Sequence, residues 1–217
     1  MAMEAPSERT KLKRGSTRAR YEREAILAIL DEALFCNVAV DVGGHPAIIP
    51  TAFAILGDQL YVHGSTANRI FRAMRDGSEC CVSVTLLDAL VLARSAFHHS
   101  VNYRSVVIYG RAREVDDEVE KRAAFDALIE HVMPGRSAEV RAPNREEYLR
   151  TLVLAIPVDE ASAKVRTGPP VEEEADYALD VWAGELPLRV VAEAPVADPQ
   201  TKREVPAYVL ARYEGLS

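Results

Sequence analysis

The chain has 217 residues, a mass of 23.9 kDa and a formal net charge of −7. This length suits one domain, and a composition with 27% charged residues is typical of a soluble globular protein. No apolar run approaches the roughly 18–20 residues that a bilayer-spanning helix needs, and no apolar stretch near the N-terminus indicates a secretory signal. We therefore expect a cytoplasmic protein with no membrane partner, whose three cysteines are free thiols.

Positive charge is concentrated at the N-terminus. Residues 1–20 carry six basic and two acidic side chains, a charge of +4. Since the net charge of the chain is −7, residues 21–217 carry −11. Nucleic-acid recognition needs a basic stripe on a folded surface, so we expect residues 1–20 to be a flexible basic arm and no nucleic-acid partner. The Gly168-Pro169-Pro170 break divides the rest into a folded domain, residues 21–167, and an extension, residues 168–217, that wraps this domain or a dimer of it.

The first predicted elements are a helix and three strands. Apolar residues spaced i, i+3, i+4 and i+7 from Ile26 to Ala33 predict an amphipathic helix. Period-two alternation then predicts strands over 35–41, 46–55 and 59–63, separated by the turns Gly43-Gly44 and Gly57-Asp58. Strands joined by such short turns are antiparallel, because a parallel crossover needs a dozen or more residues.

The rest of the pattern mixes helices with further strands. Ser65 is the expected N-cap of a short helix, and Asp117 with Glu120 forms the expected capping box of a longer one with an apolar stripe. Gly110 marks a bulge or a point of close approach. The stripe consists of Phe125, Leu128, Ile129 and Val132. The expected elements are a helix over 67–74, strands over 79–87, 89–96 and 103–115, the helix after 117, a helical turn over 145–149, a strand over 151–158 and a closing helix over 206–213. This order predicts a mainly β (α+β) antiparallel barrel with flanking helices.

Most motifs that would indicate a particular chemistry do not occur in the sequence. It contains no GxGxxG, GxxxxGK[ST], HExxH or GxSxG. His98-His99 is a weak metal signal, because adjacent strand residues face opposite sides and no third ligand is near. We therefore predict no metal site.

The strongest positive signal is the segment Leu60–Arg72. A strand runs through His63 and Ser65 into a helix whose first turn holds Asn68 and Arg69. Free N–H groups at a helix start, a hydroxyl and a guanidinium together suit a phosphate. An ordinary capped helix with a solvated basic face is the alternative interpretation.

Two neighbouring features fit a cofactor site or have a plain structural explanation. Ser83 and Thr85 share one face of a strand, where they either accept the polar edge of a ring system or are simply solvated. His63 has an ordinary pKa near neutral pH and is either an acid/base group or a structural residue bonded to a neighbouring strand.

Four stretches resemble the FMN-binding split-barrel family related to pyridoxamine 5'-phosphate oxidase, and especially its nitroimidazole-resistance reductase branch. They are LYVHGSTANRIFRAM (60–74), VNYRSVVIYGRAREV (101–115), RTLVLAIPVDEASAKVR (150–166) and VWAGELPL (181–188), of which the last resembles the C-terminal extension of a flavin-nucleotide-binding subgroup. The resemblance implies a six-stranded antiparallel split β-barrel that works as a homodimer with FMN in the subunit interface.

The resemblance also implies where the cofactor lies. His63 matches a histidine beside the flavin and is the candidate catalytic proton donor. The phosphate would lie near Ser65, Asn68 and Arg69, and the ring against Pro50, Thr51, Ala52, Ser83 and Thr85. Asn102, Tyr103, Arg104 and Ser105 would lie at the dimer interface, with Trp182 over a flavin edge.

The expected function is therefore an FMN-dependent oxidoreductase, similar to a nitroreductase, that reduces a small acceptor such as a nitroaromatic compound. One alternative is a flavin carrier or sensor without turnover. A second is a haem-binding split-barrel protein in which His63, His98 or His99 ligates iron. The sequence has no clear counterpart of the Arg/His set that binds pyridoxal phosphate in the oxidase, so we do not expect that specific activity.

Overall fold

The computed structural model of the chain describes residues 4–216, with side chains described as far as Tyr213. Residues 1–3 of the expected arm and Ser217 of the expected extension lie outside the described residues. The helices of the described part are α1 (Arg23–Glu32), α2 (Arg69–Arg75), α3 (Glu118–Val132), α4 (Arg145–Arg150) and α5 (Ala207–Leu216). The strands of the same part are β1 (Ala19–Arg20), β2 (Cys36–Asp41), β3 (Pro46–Thr51), β4 (Phe53–Leu56), β5 (Gln59–Ser65), β6 (Glu79–Leu92), β7 (Ser100–Arg111), β8 (Arg113–Glu114), β9 (Thr151–Pro157), β10 (Ala161–Arg166) and β11 (Gly184–Pro187).

The strands form two antiparallel sheets around a common core. The first sheet has the order β1-β10-β7-β6-β2-β3, with β11 added on β6, and the second has the order β4-β5-β9-β8. Buried side chains from both sheets meet between them, among them Phe53, Leu60, Val82, Ile108 and Leu154. This arrangement confirms the predicted mainly β, α+β fold class and its antiparallel split barrel, although short strands raise the strand number of the described part above six.

The returning strand predicted over 46–55 is divided at Ala52. The chain leaves the first sheet at Thr51, which pairs with Cys36, and enters the second at Phe53, which pairs with Val62. A strand that changes sheets makes a corner of the barrel. The apolar character continues through this corner, so the sequence alone reads as one strand.

Two predictions for the long strands differ from the structure. The segments 79–87 and 89–96, expected as separate strands, give the single strand β6, which has a register shift between Leu87 and Ala89 and ends at Leu92 rather than at Ala96. Gly110 pairs with Cys80 in regular register, so the predicted bulge does not occur, and a Cβ at this position would lie at an ordinary contact distance of 3.4 Å from Ile156 Cγ2.

The chain segments at both ends of the barrel contact it through ion pairs. Arg9 pairs with Glu160 and with Glu79 (2.8 Å), and its guanidinium lies over the Tyr109 ring. After β10, the buried Glu172 pairs with Arg94 at 2.8 Å. The division at residues 20 and 167 stays a prediction. Within residues 4–216, no helix combines the length and the apolar character needed to cross a bilayer.

Burial of two thiols predicts their low reactivity. Cys36 and Cys80 are buried in the core, and burial raises the pKa of Cys36 to about 12 and that of Cys80 to about 11. At pH 8 the thiolate fraction of Cys36 is then roughly one in ten thousand. We expect iodoacetamide to modify these two cysteines at least about a hundredfold more slowly in native protein than in urea-unfolded protein. Peptide mass spectrometry measures both rates, and native rates within tenfold of the unfolded ones would contradict the burial of these thiols.

Candidate functional site

A cavity of about 790 Å³ lies beside the second sheet, on the side covered by α3. His63 on β5 and Ala52 at the barrel corner line it. The apolar lining residues from α3 and the residue after it are Phe125, Leu128, Ile129, Val132 and Met133. Pockets for cofactor-sized ligands typically measure about 300–1,000 Å³ and are mostly apolar with a few polar groups. The cavity therefore has the size and lining of a site for a large apolar ligand.

Alternation along β5 directs His63 into this cavity. Leu60 and Val62 point into the core between the sheets, whereas Tyr61 and His63 lie on the opposite face. The strand continues into Gly64, where a Cβ would lie 3.0 Å from the Phe71 ring of α2. The absence of a side chain at Gly64 thus lets β5 pass close over α2.

His63 carries a buried nitrogen without a partner. Its Nδ1 is inaccessible and makes no hydrogen bond to any residue of the described chain. Burial lowers the pKa of His63, because desolvation disfavours the charged imidazolium. The ring is therefore mainly neutral at pH 7, and neutral imidazole is the form that ligates a metal. Buried polar atoms in proteins rarely lack a partner, so this nitrogen is an exception in the described chain.

A polar cluster fixes the start of α3 to the second sheet. Asp117 caps the helix by accepting a hydrogen bond from the Glu120 N–H at 2.8 Å. Within the described residues, the reciprocal bond of the predicted capping box is not formed. The Glu120 carboxylate instead accepts hydrogen bonds from the Tyr61 hydroxyl (2.6 Å) and from Arg113 Nη1 (3.0 Å). Because Tyr61 is two residues before His63, this cluster holds the helix over the cavity.

The Glu120 cluster predicts part of the acid sensitivity of the fold. Hydrogen bonds from Arg113, and then from Tyr61, lower the pKa of Glu120 from its ordinary value of 4.5. A carboxyl group with a lowered folded-state pKa stabilises the protein fully above its unfolded pKa, and this contribution is lost as the pH falls through the folded pKa. We expect Glu120→Gln to lower the urea midpoint at pH 7, with a difference from wild type that shrinks below about pH 4.

Urea unfolding followed by circular dichroism between pH 3 and pH 7 measures this difference. Glu118→Gln is the matched control, because Glu118 makes only an exposed ion pair with Arg122 on the same helix, and such pairs contribute little. A difference between Glu120→Gln and wild type that does not change with pH would contradict the role given to the carboxylate.

The residues predicted to bind a phosphate meet at the start of α2. Asn68, rather than the expected Ser65, is the N-cap, since its Oδ1 accepts a hydrogen bond from the Ile70 N–H at 2.9 Å. Ser65 Oγ accepts one from the Ala67 N–H at 3.2 Å. Arg69 is exposed and forms no ion pair with a described residue. Arg69 thus remains available to an anion, whereas the side-chain oxygens of Asn68 and Ser65 already accept hydrogen bonds from backbone N–H groups.

The residues predicted to face a flavin ring are divided between two places. Pro50 and Ser83 both pair with Asn37 and lie on the outer face of the first sheet, and Thr85 pairs with Ser105 on the same face. Thr51 ends β3, and its hydroxyl donates to the Ala52 carbonyl. Of this group only Ala52 lines the cavity with His63.

The residues predicted at a dimer interface alternate between the two faces of β7. Tyr103 and Ser105 lie on the outer face of the first sheet, whereas Arg104 binds Glu32 and Asp88 on the other side. Asn102 is buried and accepts a hydrogen bond from Arg166. Trp182 is 69% exposed and lies against Gly184. None of these residues lines the cavity, and their contact with a cofactor or a partner stays a prediction.

The other candidate iron ligands lie elsewhere. His98 Nε2 is 4.0 Å from Glu173, and His99 Nδ1 is 2.9 Å from the Ser95 carbonyl oxygen. Neither lines the cavity. Across residues 4–216, no group of three or more His, Cys, Asp and Glu side chains is arranged to hold a metal ion.

Sequence reasoning does not select the segment after α3, which completes the cavity wall. Met133, Arg136, Arg141 and Pro143 from this segment line the cavity. The one available signal is the apolar stripe of α3, because all four of its members, Phe125, Leu128, Ile129 and Val132, line the cavity. A stripe that lines a ligand cavity and one that packs in the core have the same spacing, so the pattern could not distinguish them.

Two antiparallel sheets around one core, with a cavity between the second sheet and an outer helix, define a split-barrel protein. The family model described as pyridoxamine 5'-phosphate oxidase matches residues 22–165. The chain belongs to this family.

Two solved structures are similar over nearly the whole chain. The flavocytochrome Anf3 from Azotobacter vinelandii is 39% identical with a TM-score of 0.91, covering 96% of this chain and 98% of that one. The FAD- and haem-binding protein from Mycobacterium smegmatis is 36% identical with a TM-score of 0.85, covering 92% of this chain and 97% of that one.

A protein from Bacteroides thetaiotaomicron, assigned to 5-nitroimidazole antibiotic resistance, is 22% identical with a TM-score of 0.58, covering 68% of this chain and 86% of that one. This likeness shows a shared fold alone. No curated protein sequence matches the chain significantly.

Proposed function

We propose that this protein is a flavin- and haem-binding oxidoreductase in which His63 is the haem ligand. The observation that carries the proposal is the half-buried, mainly neutral imidazole of His63 at the wall of a large apolar cavity. An apolar cavity with one imidazole matches the donor set of a haem protein with a single histidine ligand. The sequence left three candidate iron ligands, His63, His98 and His99. We select His63, because it alone among them lines the cavity.

The similar proteins support both cofactors. Anf3 is a flavocytochrome, and the Mycobacterium smegmatis protein binds FAD and haem. Both span nearly the full length of this chain at more than 35% identity. We therefore propose that the flavin is FAD, in place of the FMN that the resemblance implied.

The residues of this chain have separate roles in the proposed site. His63 supplies a neutral nitrogen donor, so it acts as a ligand rather than as the proton donor expected from the sequence. Phe125, Ile129 and Val132 supply apolar contact surface for the haem, and the Tyr61–Glu120 hydrogen bond holds α3 in place. When bound, the flavin supplies hydride chemistry and the haem supplies one-electron chemistry toward a small acceptor.

Residues outside the cavity form the proposed flavin site. The exposed Arg69 guanidinium at the start of α2 is suited to the phosphates. Pro50, Ser83 and Thr85 on the outer face of the first sheet are suited to the flavin ring, as the resemblance to the split-barrel family implied. The proposed flavin and haem sites therefore occupy different parts of the chain, which allows each to be tested without the other.

We also propose that two copies associate through the outer face of the first sheet. Large apolar side chains are exposed on this face and in the segment after β11, including Ile48 (65% exposed), Leu87 (47%) and Val190 (85%). Exposed apolar surface of this kind is typical of an interaction site. Light scattering after size exclusion tests the association: a mass near twice 23.9 kDa supports it, and a mass near 23.9 kDa contradicts it.

Cofactor analysis tests the proposed function. We expect the purified protein to absorb in the flavin range and to give a Soret band, either as isolated or after addition of haem. Mass spectrometry of the flavin released by heat decides between FAD and FMN. Reduction by NADH or NADPH and reoxidation by a small acceptor would support turnover, whereas bound cofactors with no turnover would favour a carrier or sensor.

A further inference from the structure

The apolar cavity at His63 has charged side chains at its solvent side. Arg136, Arg141 and Glu147, which are all exposed, line it. A guanidinium at the edge of an otherwise apolar site suits a ligand that is apolar over most of its surface and carries a carboxylate at one end. The two arginines differ in how many of their guanidinium N–H groups already donate hydrogen bonds within the chain.

Arg141 is bound within its own segment. Its Nη1 and Nη2 donate to the two Glu147 carboxylate oxygens at 2.7 and 2.6 Å. Glu147 also accepts a hydrogen bond from the Asn144 N–H at 2.9 Å, as part of the capping box of α4. Arg141 lowers the pKa of Glu147 to about 2. This bidentate pair stabilises the cavity wall and leaves Arg141 little capacity for a ligand.

Arg136 retains free donors. Its Nη1 donates to the Tyr208 hydroxyl at 2.8 Å and lies 3.4 Å from Glu139 Oε2. Its Nε and Nη2 make no hydrogen bond to a described residue. The Tyr208 hydroxyl donates to Glu139 at 2.9 Å, and the Tyr208 ring lies against Gly135. The helix α5 therefore holds Arg136 beside the cavity, with Glu139 as the carboxylate next to it.

We infer, building on the proposed function, that Arg136 binds a carboxylate of the cavity ligand. The site then selects a porphyrin with free propionates over one whose propionates are esterified. Glu139 competes with the ligand for the same guanidinium. Arg136 is thus a specificity-determining residue, and Glu139 sets how strongly it binds.

Titration of the full-length, haem-free chain with haem and with haem dimethyl ester, followed at the Soret band, tests this inference. We expect Arg136→Gln to weaken haem binding about tenfold and to change ester binding less than twofold, because only haem offers a charged partner. Glu139→Gln keeps an acceptor for Tyr208 and removes the competing charge, so we expect it to strengthen haem binding about threefold without affecting the ester. Arg122→Gln, at an exposed pair with Glu118 outside the cavity, should leave both affinities unchanged.

Equal weakening of both porphyrins by Arg136→Gln, or no weakening of either, would overturn the inference. If Glu139→Gln does not increase haem affinity, Glu139 does not compete with the ligand for Arg136. A wild-type protein that binds haem and its ester equally well contradicts this inference and leaves the proposed function intact. A wild-type protein that binds neither porphyrin contradicts the proposed function itself.

Discussion

Substitution of His63 by leucine is expected to weaken haem binding by at least about a hundredfold, since even the groups that only support a metal ligand affect affinity by about ten- to a hundredfold. Leucine is apolar and fits the character of the cavity wall. It also removes the buried Nδ1 that has no partner among the described residues. The haem-free variant should therefore be at least as stable as the haem-free wild type, because an unsatisfied buried polar atom destabilises the fold. A Soret titration gives the affinity, and thermal unfolding gives the stability.

The design separates ligation from folding. His98→Leu and His99→Leu are the matched controls, because these two histidines lie outside the cavity and should leave haem affinity unchanged. Flavin content should be the same in all three variants. A His63→Leu protein with wild-type haem affinity would show that His63 is not the ligand. A loss of haem affinity in His98→Leu or His99→Leu would instead identify that histidine as the iron ligand.

Substitution of Phe71 by alanine is expected to destabilise the protein by about 3–5 kcal/mol. Phe71 is 1% exposed, and its ring lies under Gly64, where even a Cβ would approach it to 3.0 Å. Its loss leaves a cavity between α2 and β5 that the neighbouring backbone cannot easily fill. Because α2 begins at Arg69, a proposed flavin contact, we also expect flavin affinity to fall in this variant.

Urea unfolding of the variant and the wild type measures this effect. Phe97→Ala is the matched control, since Phe97 is 86% exposed and its truncation should change stability by less than about 0.5 kcal/mol. A loss below about 1 kcal/mol in Phe71→Ala would contradict the packing described for α2.

The sheet architecture could be predicted from the sequence because short turns restrict the topology. The turn at Gly43-Gly44 is too short for a parallel crossover, so β2 and β3 had to be antiparallel. The corner at Ala52 could not be predicted, because a strand that changes sheets keeps the same alternation on both sides. The same holds for the N-cap of α2, where Ser65 and Asn68 are both good capping residues and only the path of the backbone selects Asn68.

The candidate site was predicted in part. His63 was selected from the sequence, but its role was left between chemical and structural, since burial and hydrogen bonding depend on β9 and α3, which are distant in the sequence. Arg136 and Tyr208 are 72 residues apart and meet only in the folded chain. The proposed phosphate site around Arg69 is built from residues close together in the sequence, which is why a sequence segment could indicate it.

The most direct test of the central claim is a haem titration of the full-length protein with quantification of both cofactors. If His63 is the ligand in a site of its own, the Soret band will saturate at one haem per chain, and the flavin content will not change during the titration. A protein that gives no saturable Soret band, or that gains haem only by releasing flavin, would contradict the account.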